Sequence, residues 1–100
     1  MSLPIARVGD SFEGLCERCE HFPLVTGTII SSPQSAISID GALVATSGSV
    51  CTASCGHSGT LVGSSAIFSI NGKEVGRLGD TIIGFSNSHV TTACEKFCTD

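Results

Sequence analysis

A chain of 100 residues contains the same glycine corner three times. It occurs as Pro4-Ile5-Ala6-Arg7-Val8-Gly9-Asp10, as Leu43-Val44-Ala45-Thr46-Ser47-Gly48-Ser49 and as Glu74-Val75-Gly76-Arg77-Leu78-Gly79-Asp80. A unit repeated so often in so short a chain restricts the fold to small, internally symmetric arrangements. The second and third corners each follow a hairpin signal, Asp40-Gly41 or Asn71-Gly72 between apolar alternations. The corner glycines lie 39 and 31 residues apart.

Each unit reads as a corner, an irregular loop holding His and nearby Cys, a Gly-Thr strand and a hairpin. Residues 1–10 are expected to form a short strand ending at the first corner. Ser11 to Pro23 and Ser47 to Ser58 read as irregular, the first with room for one short helix that Pro23 would end. Gly27 to Ser32 and Gly59 to Ser64 are expected strands, as are Ala36 to Ile39 and Ala66 to Ile70 ahead of the two hairpin turns. The third unit, from Glu74, reads as incomplete, with no second strand pair after it.

Composition agrees with a fold of short strands. There is no Trp or Tyr, 12 residues are Gly, and β-branched residues carry most of the apolar content. Charged residues are 14% with net charge -4, which argues against a nucleic-acid partner. No apolar run reaches the length of a membrane-spanning helix, and no export signal stands at the N-terminus. The six cysteines are therefore expected as thiols or metal ligands rather than as a disulfide framework. The whole of 1–100 reads as one all-β domain.

The three histidines, His21, His57 and His89, lie 36 and 32 residues apart, one in each unit. Three equivalent loops at one end of a pseudo-threefold molecule would bring the imidazoles to the axis. A thiolate would complete a tetrahedral set suited to zinc, with iron as the alternative and one ion per chain. Cys55, two residues before His57, is the preferred thiolate; Cys16 and Cys19 are alternatives. A closed set of four protein ligands leaves no position for substrate water, so the expected role is structural.

Asp10 and Asp80 read as turn residues, because Ser49 fills the same place in the middle copy. Gly-x-Ser-x-Gly and the phosphate-binding Gly-x4-Gly-Lys-[Ser/Thr] are absent, and no catalytic residue is expected.

Pro4-Ile5-Ala6-Arg7-Val8-Gly9-Asp10 resembles the Pro-Ala-Ala-Arg motif with its following Val-Gly-Asp. Ile70 to Asp80 is similar to an internal copy of it, and His57-Ser58-Gly59-Thr60-Leu61 resembles the family's His-Gly-Gly-x-Ile entry into a strand. The resemblance, which extends to about Ala93, is to PAAR-repeat proteins. It implies a small conical pseudo-threefold β fold with a metal held near the point by histidines and a cysteine. It also implies a base that caps a trimeric β-helical spike of a type VI secretion system or contractile phage tail, either valine-glycine repeat protein G or a phage central spike. One chain would serve each trimer, at the tip of the injection apparatus or virion tail, touching a membrane transiently during puncture. No fused effector is expected, so any cargo would be a separate protein. The partner surface is expected at Ile39, Asp40, Gly41, Ile70, Asn71 and Gly72.

The sequence departs from the motif in its middle copy, Leu-Val-Ala-Thr, which lacks Arg and Asp, and it is richer in cysteine. The competing readings are a small cysteine-rich metal-binding or redox module, and a metal-dependent hydrolase.

Overall fold

Each glycine corner is a hydrogen-bonded turn. The N–H of Asp10 donates to Arg7 O at 3.0 Å, that of Ser49 to Thr46 O at 3.0 Å, and that of Asp80 to Arg77 O at 3.1 Å. Gly9, Gly48 and Gly79 have φ of 101°, 95° and 90°, a region that L side chains rarely enter. The last residue of each turn folds its side chain back onto the first: Asp10 Oδ2 accepts the Arg7 N–H, Ser49 Oγ that of Thr46, and Asp80 Oδ2 that of Arg77. In this computed structural model, which describes residues 2–21 and 23–100, the three corners are held to one another around an axis. Ala6 donates its N–H to Gly76 O, Gly76 to Ala45 O, and Ala45 to Ala6 O, a closed ring of three bonds at 2.9, 2.8 and 3.0 Å. Only small residues fit there; a Cβ on Gly76 would stand 2.6 Å from Leu61 Cδ2.

The chain is all-β, with twelve strands and no helix among the described residues. From the first corner, β2 (Ser11–Leu15) leaves and β3 (Leu24–Ser31) returns; from the second, β6 (Val50–Ala53) and β7 (Ser58–Leu61); from the third, β10 (Ile82–Ile83) and β11 (Ser86–Val90). The returning strands dock back on the corners in one register: Gly9 N–H donates to Ile29 O, Gly48 to Leu61 O and Gly79 to Val90 O. These six strands form one antiparallel sheet, in the order β10-β7-β6-β3-β2-β11. Its two ends meet where Ser88 Oγ, on β11, accepts the Ile82 N–H at 3.0 Å and donates to Ile82 O at 2.7 Å. The result is a nearly closed barrel filled by Phe12, Ile29, Cys51, Leu61, Ile82, Phe85 and Val90. Burying a side chain such as Phe12 or Leu61 contributes about 1.5–3 kcal/mol. The three turns of the barrel hairpins therefore lie at the end opposite the corners.

On the other side of the axial ring lie three strand pairs: β4 (Ser38–Ile39) with β5 (Ala42–Leu43), β8 (Ser69–Ile70) with β9 (Lys73–Glu74), and β1 (Leu3–Ile5) with β12 (Cys94–Thr99). Asp40-Gly41 and Asn71-Gly72 turn with φ of 51°, 83°, 54° and 79°, as a two-residue hairpin of alternating strands requires. Ile5, Val44 and Val75, one residue before each member of the axial ring, form a second core with Ile70, against which Ile39 and Phe68 pack.

Several expectations are corrected. The stretches read as irregular, Ser11 to Pro23 and Ser47 to Ser58, contain β2 and β6, and the first holds no helix. In β2 only Phe12 among the inward positions is large, since the other is Gly14, so the alternation is weak to read although the burial alternates. The third unit is not incomplete. Thr99 stands opposite Leu3 as Ile39 stands opposite Ala42 and Ile70 opposite Lys73, so β12 completes the third strand pair with β1. The expected strand over residues 1–10 is confined to Leu3–Ile5, and Met1, with Phe22, lies outside the described residues.

Candidate metal centre

The turns at the far end of the barrel differ in length, and the cysteines and histidines follow that difference. The β2–β3 turn carries Cys16 and Cys19, and the β6–β7 turn carries Cys55 and His57. The β10–β11 turn has only Gly84 and Phe85. Donor atoms of Cys16, Cys19, Cys55 and His57 all lie within 4.8 Å of one another. His57 Nδ1 is 3.2 Å from Cys16 Sγ, 3.4 Å from Cys19 Sγ and 3.5 Å from Cys55 Sγ, and the Cys55 and Cys16 sulfurs are 3.6 Å apart. Ordinary zinc–ligand lengths in a tetrahedron put sulfurs about 3.8 Å apart and sulfur about 3.6 Å from nitrogen. The spacing of the four donors fits that geometry within a few tenths of an ångström, and 3.6 Å is far beyond a disulfide bond. These four residues form a cluster that could hold a metal ion.

The local electrostatics also fit. Burial by itself raises the Cys16 thiol. Hydrogen bonds from Cys19, the Arg18 backbone, Cys55 and His57 outweigh it and bring Cys16 down from 9.0 to about 6. Cys19 is pushed up to about 12, first by its hydrogen bond to Cys16, then by burial and by the neighbouring sulfurs. The surrounding hydrogen bonds thus favour the thiolate form of Cys16 that metal ligation requires, and a cation could take the place of the protons shared within the cluster. The cluster sits directly on the barrel core, with Cys16 fully buried and Cys19 and Cys55 half-buried.

Of the four residues expected to bind metal, His57 and Cys55 lie in the cluster, and so do both alternative thiolates, Cys16 and Cys19. His21 and His89 do not. His21 is exposed, with φ of 68°, and its Nε2 lies 3.6 Å from Glu20. His89 is on a barrel strand, opposite Glu13 of β2, with Nε2 3.2 Å from the carboxylate. The docking bonds of Ile29, Leu61 and Val90 to the corners show why the spacing misleads. Counted back from these residues, His57 lies four positions away, His89 one and His21 eight, so the three histidines are not equivalent. Similar distances from the corners arose from turns of different length. The expectation took one thiolate with three histidines; the signal it underweighted was Cys16-x-x-Cys19 read together with Cys55-x-His57, two ligand pairs on two turns.

The other cysteines are separate. Cys51 is inside the barrel, where burial pushes its thiol up to about 11. Cys94 lies 3.5 Å from Asp40 Oδ2 at the β4–β5 turn, and Cys98 is exposed on β12. No family model, curated protein or solved structure matches this chain.

Proposed function

We propose that the protein is a structural tip that caps a trimeric β-helical spike of a contractile injection machine, of a type VI secretion system or a phage tail. A single observation carries the proposal: one chain closes a ring of three bonds, Ala6 to Gly76 to Ala45, and sets three strand pairs on one side of it. A trimeric β-helix ends in three chain ends with exposed strand edges, and such edges need a cover. A single chain with three similar edges can cover all three. The contacts would be backbone pairing and apolar packing around Ile39, Asp40, Gly41, Asn71 and Gly72. Ile70 is buried with Ile5, Val44 and Val75, and in this reading it supports the base from within.

The cluster at the opposite end would hold one zinc, with iron as the alternative, through Cys16, Cys19, Cys55 and His57. Three thiolates and an imidazole are a soft, closed donor set. A bound ion would cross-link two turns where the barrel has too few residues for more core. Four protein ligands leave no open position, which favours a structural role over a hydrolytic one.

The test is to mix the protein with a truncated trimeric spike from the same source and measure the mass of the complex. One chain per trimer supports the proposal; three chains per trimer, or no complex, overturns it.

Thiol chemistry is the second reading, favoured by the Cys16 thiolate at about 6 with Cys55 Sγ 3.6 Å away. It requires that the purified protein be metal-free and that the sulfurs cycle between thiol and disulfide without unfolding the barrel.

A further inference from the structure

Two turns supply all four donors of the cluster, and the third turn is held to them by an arginine. Arg18 lies between Cys16 and Cys19 on the β2–β3 turn. Its Nη2 donates to Ser58 O at 2.6 Å, next to His57, and to Gly84 O at 3.3 Å, in the two-residue β10–β11 turn. The guanidinium carbon stands 5.2 Å from the centroid of the Phe85 ring, within cation–π reach. The fit to the third turn is close: Gly84 has φ of 113°, and a Cβ there would lie 3.2 Å from Arg18 Nη2.

We infer that Arg18 is the positioning residue of the metal centre, bracing the turn that carries Cys55 and His57 and joining the ligand-free β10–β11 turn to it. This rests on the metal reading of the cluster. The chain's threefold plan would place a ligand on each of three turns. The third turn has only Gly84 and Phe85 and supplies no ligand, and the Arg18 guanidinium ties it to the His57 turn through two backbone carbonyls and an aromatic ring. Two consequences follow. The His57 turn is held at its Ser58 carbonyl, so the position of Nδ1 among the sulfurs depends on Arg18. Metal occupancy and the stability of the β10–β11 turn are also coupled through the same side chain, since Arg18 is flanked by two ligands of its own turn. Lysine could donate to one of the carbonyls but could not span both acceptors with a planar group, so it would restore only part of the effect.

The test uses the full chain with zinc. Metal affinity is measured by chelator competition, and amide exchange is followed across Ile82 to Phe85, in wild type, Arg18→Gln and Arg18→Lys. Groups that orient metal ligands typically change affinity by about 10- to 100-fold when removed. The expected result for Arg18→Gln is one zinc per chain bound about 10-fold more weakly, with Gly84 and Phe85 exchanging faster in the zinc-loaded protein. Arg18→Lys should fall between the two. An Arg18 with a merely structural role would lower the melting temperature equally with and without zinc and leave affinity unchanged; that result overturns the assignment. Failure of the wild-type protein to take up any zinc overturns the metal reading first and this assignment with it. As a check on folding, the same exchange data over Ser11 to Leu15 should be unchanged by either substitution.

Discussion

Ser49 does for the middle corner what Asp80 does for the last. Ser49 Oγ accepts the N–H of Thr46 at 3.0 Å, and Asp80 Oδ2 accepts that of Arg77 at 2.7 Å. A carboxylate is thus one of two ways to fill the position, and the shared requirement is an oxygen that reaches back three residues. Asp80 has further partners, since it accepts from the Ser64 backbone N–H at 3.1 Å and from the Ser64 hydroxyl. Replacing Asp80 by Ala should cost about 1–3 kcal/mol, the usual penalty for leaving a buried donor unpaired. Asp80→Ser should keep the bond to Arg77 and cost distinctly less. Chemical denaturation of the two variants checks this; equal losses would remove the corner bond from the account.

The axial ring tolerates little added volume. Ala6 and Ala45 are fully buried, and Ala6 Cβ is 3.6 Å from where a Cβ on Gly76 would lie. Ala6→Val should destabilise the fold by about 1–3 kcal/mol through overpacking. An unchanged denaturation midpoint would mean that the ring is looser than its hydrogen bonds imply.

The third strand pair needs β12, but the Cys/His cluster does not need that strand's thiols. Removing residues 94–100 should unfold the chain or strongly lower its melting temperature, because β12 is the partner of β1. Replacing Cys94 and Cys98 together by Ser should leave metal content unchanged, since neither lies in the cluster. Loss of metal in that double variant would move the site to the base.

Thiol reactivity should rank by environment. Cys98, exposed, should label fastest in the native protein. Cys51, buried and held at about 11, should label only on unfolding. Mass spectrometry after brief alkylation gives the order directly.

In the metal-free protein, pH should act through Cys16 and Cys19 in opposite senses. Cys16 falls from 9.0 to about 6 on folding, so its contribution is fully present above pH 9 and is lost as pH falls toward 6. Cys19 rises to about 12, so its contribution is fully present below pH 9 and is lost as pH climbs toward 12. The combined Cys16 and Cys19 contribution to the stability of the metal-free protein should therefore be largest near pH 9 and fall on both sides, as melting temperatures of wild type compared with a Cys16→Ser, Cys19→Ser double variant would show. Metal uptake near neutral pH should release protons, because Cys19 must lose its own.

Much of the fold was legible in the sequence because glycine and the hairpin dipeptides mark positions where the backbone has few options. Gly9, Gly48 and Gly79 marked the corners, and Asp40-Gly41 and Asn71-Gly72 marked the hairpins. The pairing of β1 with β12 was not legible, since it joins residues 89 to 96 positions apart and no local pattern signals it. The Cys/His cluster was legible in part. Cys55 and His57 share one short turn, and the Cys-x-x-Cys of Cys16 and Cys19 is a metal-ligand spacing. The equal distribution of histidines concealed it: His89 counts as a turn residue from its corner, but its strand register sets it against Glu13 on the barrel wall.

Histidine replacement separates these placements. His57→Ala should release the metal and lower the melting temperature, whereas His21→Ala, exposed and outside the cluster, should change stability by no more than about 0.5 kcal/mol. His89→Ala should leave metal content intact while removing the pairing with Glu13. Metal loss in His21→Ala or His89→Ala would restore the three-histidine site.

The most direct test is X-ray absorption at the metal edge of the purified, metal-loaded chain. The expected result is one ion per chain with three sulfur neighbours at about 2.3 Å and one nitrogen at about 2.0 Å. A first shell dominated by nitrogen, or a protein that binds no metal, would contradict it.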